Sequence, residues 1–244
     1  MSRVFQALER AEGPRGRRSP ALEDPRKPGH RSGEREAADA SGYERLASTI
    51  LQAIAAAPFK TMMVVAPERG EGTSTVAAGL ARTLAGRIRV VLMDADFRSP
   101  ALADWFHLED TPGLADVLAG RAQIGAVAAE TDVADLRVVP AGSVADDSTR
   151  LLSSARLSDV VQELVVSSDL VILDVPPVLP YADALSIASR VERVVLVTCA
   201  ERTQRDDLER AKDELEKSGA VILGVVLNRK PSHAPPWIQR YLNL

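Results

Sequence analysis

Met62-Met63-Val64-Val65-Ala66-Pro67-Glu68-Arg69-Gly70-Glu71-Gly72-Thr73-Ser74-Thr75 runs directly into a stretch rich in Ala and Leu. An unbroken apolar run, a glycine-rich turn and an immediate helical pattern read as a buried strand, a loop and a helix N-terminus. Backbone N–H groups converge on an anion at such a turn, and the helix dipole adds to the attraction. Gly70 and Gly72 let the backbone come close to a phosphate, and Ser74 or Thr75 offers a hydroxyl for Mg²⁺. Gly70, Glu71, Gly72, Thr73, Ser74 and Thr75 are therefore the expected phosphate contacts. The loop departs from the pattern G-x-x-x-x-G-K-[ST] twice: Pro67 stands at the first glycine and Thr73 at the lysine.

Outward from this loop, short β-branched runs alternate with helical stretches from Tyr43 onward. Strands are expected at Met62–Ala66, Arg89–Met93, Leu136–Val139, Leu170–Leu173, Arg193–Thr198 and Ala220–Leu227. Helices are expected near 45–56, 75–86, 156–167, 182–189 and 204–218. That alternation predicts an α/β fold, a doubly wound and mainly parallel sheet covered on both faces. Ligands of such sheets sit beyond the carboxyl ends of the strands. Two further strands end there in carboxylates: Val90-Val91-Leu92-Met93-Asp94-Ala95-Asp96 and Leu170-Val171-Ile172-Leu173-Asp174. One glycine loop and three aspartates on one edge suit a Mg²⁺-nucleotide, with Ser74, Asp94 and Asp174 as metal candidates.

The remaining composition narrows the function class. The chain has 244 residues, 45% hydrophobic and 26% charged, which is ordinary for a globular protein. Thirty Lys/Arg against 34 Asp/Glu give a net charge of −4, without the basic field of a dedicated nucleic-acid binder. One cysteine, Cys199, excludes an internal disulfide framework, and the three widely separated histidines give no zinc spacing. The longest run free of charge, Leu46 to Phe59, spans 14 positions and is too short to cross a bilayer. The first ten residues lack a signal-peptide pattern, so a cytoplasmic location is expected. Residues 1–12 carry apolar positions at helical spacing, which suits either a docking helix or a frayed terminus. Residues 13–40 hold the Pro-, Gly- and Arg-rich stretch expected to be a disordered linker. The folded domain is expected over 41–230, followed by a tail at 231–244. Trp105 and Phe106 read either as partner-facing or as packing residues.

The motifs resemble the cytoplasmic P-loop ATPase domains of bacterial tyrosine kinases (BY-kinases), which accompany chain-length regulators of capsular and exopolysaccharide export and are related to MinD/ParA ATPases. Asp94-Ala95-Asp96-Phe97-Arg98-Ser99-Pro100 is similar to that family's second Walker A motif. Thr111-Pro112-Gly113-Leu114-Ala115-Asp116-Val117-Leu118-Ala119-Gly120 resembles its G-L-x-D-x-L-x-G stretch. Leu136 to Gly142, Leu151-Leu152-Ser153, Asp174-Val175-Pro176-Pro177 and Gly224 to Arg229 match in order and spacing, and Ser2 to Leu8 looks like a leader of polysaccharide-linked members. The resemblance implies ATP or ADP with Mg²⁺ at the glycine loop. It gives metal or water positioning to Asp94 and Asp96, the Walker B role to Asp174 and a base contact to Asn228. Arg98 is open between a phosphate contact and a structural partner of Asp96. A membrane-embedded export protein is the implied partner, reached from the inner face of the membrane, and a homo-oligomer is a further option.

Three departures qualify this. Thr73 replaces the phosphate-contacting lysine, and Arg69 in the same loop is an available substitute cation. Ser41, Glu44 and Ala47 stand where the family carries its E-x-x-R-x-x-R assembly motif. The tail after Asn228 has a single tyrosine, Tyr241, instead of a phosphoacceptor cluster. The resulting expectation is a nucleotide-binding regulator with weak or absent autokinase activity. A non-catalytic adaptor is the alternative. A MinD/ParA-type positioning ATPase is disfavoured because Glu68 stands at the signature lysine of that class.

Overall fold

The computed structural model describes residues 32–108, 112–143 and 148–229. Helix α1 (Ser32–Ala56) leads into β1 (Thr61–Val65), α2 (Thr73–Ala85) and β2 (Val90–Asp94). Four short helices follow, α3 (Leu102–Trp105), α4 (Leu114–Leu118), α5 (Ile124–Val127) and α6 (Ser148–Ser153), with β3 (Ala129–Glu130) and β4 (Leu136–Val139) between the last two. The chain continues through α7 (Ala155–Ser167), β5 (Leu170–Asp174), α8 (Asp183–Ala188), β6 (Arg193–Cys199), α9 (Arg205–Lys217) and β7 (Ile222–Asn228). These strands form one sheet in the order β3-β4-β2-β5-β1-β6-β7, parallel throughout except for the antiparallel β3–β4 pair.

Both faces of the central strands are covered, which explains why their sequences read as continuous apolar runs rather than as alternations. Met62 and Val64 of β1, Val90 and Leu92 of β2, and Leu170 and Ile172 of β5 pack with Ala47 and Ile50 of α1 and with Val76, Leu80 and Leu84 of α2. The residues between them, Met63, Val65, Val91, Met93, Val171 and Leu173, join Leu114, Leu157, Val161, Leu164, Ile187, Ala211 and Leu215 on the opposite face. Each large side chain so enclosed contributes roughly 1.5–3 kcal/mol.

The expected strands and longer helices are present, while some boundaries differ. The first helix begins at Ser32 rather than near 45, so its opening turns occupy residues expected to be linker. Glu34-Arg35-Glu36-Ala37-Ala38 are good helix formers, and they extend a helix already anchored by packing at its other end. The expected N-terminal helix at 1–12, most of the linker and the tail lie outside the described residues. Helices α3 to α6 have four to six residues, too few to show a helical period.

The Gly113-Leu114-Ala115-Asp116 motif proves to be a clamp between α4 and the end of β4. Leu114 and Ala115 donate their N–H groups to the carbonyls of Pro140 and Ala141 at 2.8 and 2.9 Å. Asp116 accepts hydrogen bonds from the N–H groups of Gly113 and Ser143 and from the Arg121 guanidinium. A Cβ on Gly113 would lie 2.3 Å from both the Gly142 nitrogen and the Pro140 oxygen, so only glycine permits this approach.

Candidate functional site

The loop between β1 and α2 is shaped from behind. Arg202 donates to the carbonyls of Arg69 and Gly70 at 2.9 and 3.2 Å, and Asn228 Nδ2 donates to the carbonyl of Glu71 at 2.9 Å. In a trans peptide the N–H points opposite to the C=O. Fastening three successive carbonyls on one side therefore turns the N–H groups of Gly70, Glu71 and Gly72 to the other. Those of Thr73, Ser74 and Thr75 open α2, whose first intrahelical bond runs from the Val76 N–H to the Gly72 carbonyl. Among the described residues, none of these six N–H groups has a hydrogen-bond acceptor. Of the six residues, all but Glu71 line a cleft of about 270 Å³, together with Glu68, Arg69, Asp96, Ser99, Trp105 and Pro177. Gly72 has φ +92°, and a Cβ there would meet Asn228 Nδ2 at 2.2 Å, so the turn needs glycine for its conformation and for its contact with β7.

The Glu71 side chain does not face the cleft. It is buried, accepts the Thr203 hydroxyl at 2.6 Å, and burial pushes its carboxyl above the ordinary value. Thr203 in turn accepts the Cys199 N–H at 2.8 Å. Glu71 thus ties the loop to the β6–α9 turn, and any phosphate contact falls to its backbone. Asn228 is also a loop-holding residue: its Nδ2 donates to the Glu71 carbonyl and its Oδ1 accepts the Arg229 N–H.

β2 and β5 are neighbours in the sheet, with Asp94 paired in register with Asp174. Asp94 is fully buried, and its oxygens accept the N–H groups of Asp96, Ala101 and Leu102 at 3.0–3.1 Å. Burial nevertheless pushes its carboxyl up to about 6, against those hydrogen bonds and with a smaller contribution from Asp96. The carboxylate thereby organises the turn that starts α3. Asp96 reaches the cleft and accepts the N–H groups of Arg98 and Ser99 at 3.1 Å.

Asp174 differs from both. It is 1% exposed, and neither carboxylate oxygen has a hydrogen-bond partner in good geometry among the described residues. Burial first, then the Asp94 carboxylate, drive its pKa well above the ordinary range, while the Ser74 hydroxyl acts in the opposite direction. A buried carboxylate flanked by a second one and a hydroxyl, but by no cation, fits a divalent metal. Ser74 and Asp174 are the residues that would hold Mg²⁺.

Arg98 meets Asp96 through its backbone N–H, while its guanidinium is taken up elsewhere. Its guanidinium donates to buried Asp183 at 2.6 Å and to Thr149 at 3.1 Å, and lies over the Tyr181 ring at 4.1 Å. Arg202, Thr203 and Asp183 escape sequence reading because none belongs to a local motif. The one available signal was Glu71, an acid in a loop packed between buried strands, which requires a donor from elsewhere in the chain. Trp105 is 40% exposed beside the cleft, whereas Phe106 is buried.

Comparison with known proteins bears on the family and the fold. A ParA family model described as NUBPL iron-transfer P-loop NTPase matches residues 59–237. The tyrosine-protein kinase CpsD of Streptococcus agalactiae is 37% identical over 172 residues, covering 70% of this chain and 75% of that protein. The kinase domain of VpsO superimposes with a TM-score of 0.75 at 27% identity, over 82% of this chain and all of that one. The septum site-determining protein MinD of Pyrococcus horikoshii, in complex with Mg-ADP, gives a TM-score of 0.61 at 26% identity over 75% of this chain and 76% of its own. The chain therefore belongs to the ParA-like P-loop NTPases, among relatives that are bacterial tyrosine kinases.

Proposed function

We propose that this protein binds a Mg-adenine nucleotide and acts as a regulatory, BY-kinase-like ATPase of capsule or exopolysaccharide biosynthesis or export. The observation that carries the reading is the row of N–H groups from Gly70 to Thr75, set against the buried carboxylate of Asp174, both without hydrogen-bond partners among the described residues. One set attracts phosphate and the other attracts the metal that accompanies it. Mg²⁺, when bound, would neutralise phosphate charge, and the relative solved with Mg-ADP supports this pairing.

Turnover is slow on this reading, because Thr73 cannot place a positive charge against the phosphates. Loss of one preorganised donor costs about 3–4 kcal/mol, or roughly 10²–10³ in rate. The protein then works through its bound state, regulating a membrane-embedded chain-length or export partner at the inner face of the membrane. Among the described residues no helix is long and apolar enough to cross a membrane, so contact with the membrane is assigned to the partner. The same Thr73 favours a second reading, a non-catalytic adaptor of that machinery. A positioning ATPase of the MinD type is less well supported, since Glu68 occupies its signature lysine position.

Isothermal titration of the full chain with Mg-ATP and Mg-ADP tests the proposal. Binding of both is expected, together with ATPase activity that Thr73→Lys raises by at least tenfold, on the order set by one transition-state donor. Absence of binding overturns the nucleotide reading and leaves the adaptor. Wild-type turnover that Thr73→Lys does not increase overturns the account of Thr73.

A further inference from the structure

Three arginines surround the glycine loop, and two are already committed. Arg202 is fastened to the carbonyls of Arg69 and Gly70, and Arg98 is paired with Asp183 and Thr149. The Arg69 guanidinium makes no hydrogen bond or ion pair among the described residues. It lies 5.0 Å from the centroid of the Tyr181 ring, on which Arg98 also rests. The ring bridges the P-loop and the turn after β2; the Arg98 guanidinium is ion-paired with Asp183, whereas Arg69 feels the Asp96 carboxylate across the cleft without forming an ion pair among the described residues. Arg69 lines the cleft with Thr73, Ser74 and Asp96. Its backbone is pinned through its carbonyl while its side-chain donors are uncommitted.

We propose that Arg69 grips the terminal phosphates of a nucleoside polyphosphate from the rim of the loop, with the Tyr181 ring as its platform, as a binding cation that does not replace the transition-state donor lost at position 73. The inference rests on the nucleotide reading above and names the group that makes that site selective for polyphosphates. The guanidinium fork matches phosphate oxygens bidentately, which a lysine at position 73 would not do. A cation held over an aromatic face keeps its N–H edges free for a ligand. Tyr181 is on this account a positioning residue, sensed only through Arg69.

Calorimetric titration of full-length variants with Mg-ATP and with AMP tests the assignment. Arg69→Ala is expected to weaken Mg-ATP binding roughly 10- to 100-fold, the worth of charge-assisted hydrogen bonds to phosphate. Affinity for AMP and the ligand-free melting temperature should stay at their wild-type values, and Arg69→Lys should recover part of the loss. Tyr181→Ala should show a smaller loss confined to Mg-ATP, with Tyr181→Phe restoring it because the ring face is retained. Wild-type Mg-ATP affinity in Arg69→Ala overturns the proposal while leaving the nucleotide site intact. A loss shared equally by AMP, or accompanied by a lower ligand-free melting temperature, reassigns Arg69 to loop stability and also overturns it. If the wild-type protein binds no nucleotide, the underlying reading fails, and this inference with it.

Discussion

Asp174 illustrates a side chain whose place in the fold is unfavourable until a ligand arrives. Its carboxylate is enclosed without a hydrogen-bond donor in good geometry among the described residues, and it pairs in register with Asp94 on the neighbouring strand. For a carboxyl whose pKa is raised on folding, the native state holds more protons than the unfolded chain between the two values. Stability therefore falls as pH rises through that window. For Asp94 the window runs from 3.8 to about 6, and Asp174 continues the trend in the same direction at higher pH. Asp174→Asn removes the buried charge and brings an N–H donor to Asp94. It is expected to raise ligand-free stability near neutral pH by about 1–3 kcal/mol while abolishing the Mg²⁺-dependent part of nucleotide stabilisation. Thermal melts across the acidic and neutral range, with and without Mg-ADP, read both effects. A lower ligand-free melting temperature would refute the unpaired-carboxylate account.

Between elements, the decisive contacts are backbone to backbone. The Gly113 clamp joins α4 to the exit of β4, with Gly142 and Asp116 completing it. Gly113→Ala drives a methyl group into a nitrogen and an oxygen of the main chain, neither of which can rotate aside as a flexible side chain can. The expected cost is about 3 kcal/mol, read as a shift in the urea midpoint with unchanged m-value. A shift below about 0.5 kcal/mol, the ordinary range of surface substitutions, would mean that the clamp yields freely. The motif itself was visible in the chain. Its purpose was not, because its partners, Pro140 to Ser143, lie more than 20 residues away in sequence.

At the scale of the molecule, sheet order brings β1, β2 and β5 together so that the glycine loop, Asp96 and Asp174 share one edge. On the proposed reading tyrosine transfer is weak, since Thr73 stands at the loop lysine position and the three tyrosines do not cluster in sequence. Tyr43 donates its hydroxyl to the Thr75 carbonyl at 3.1 Å, Tyr181 lies between two arginines, and Tyr241 is outside the described residues. Incubation of the purified protein with labelled ATP is expected to leave tyrosine essentially unlabelled. Robust self-labelling mapped to Tyr241 would overturn the regulatory reading in favour of an active kinase.

The amino-acid sequence by itself determined the doubly wound α/β class, the main strands and longer helices, and the loop–carboxylate edge, since buried parallel strands and a glycine-rich turn leave contiguous, short-range patterns. Tertiary structure alone decided which partners the members of that edge take. Asp94 holds the N–H groups of Ala101 and Leu102, Arg98 is paired with Asp183, and the Glu71 and Asn228 side chains brace the loop from behind. The physical reason is common to all four. A polar group's role depends on whether folding supplies it with a partner, and those partners come from segments that only the sheet topology makes adjacent.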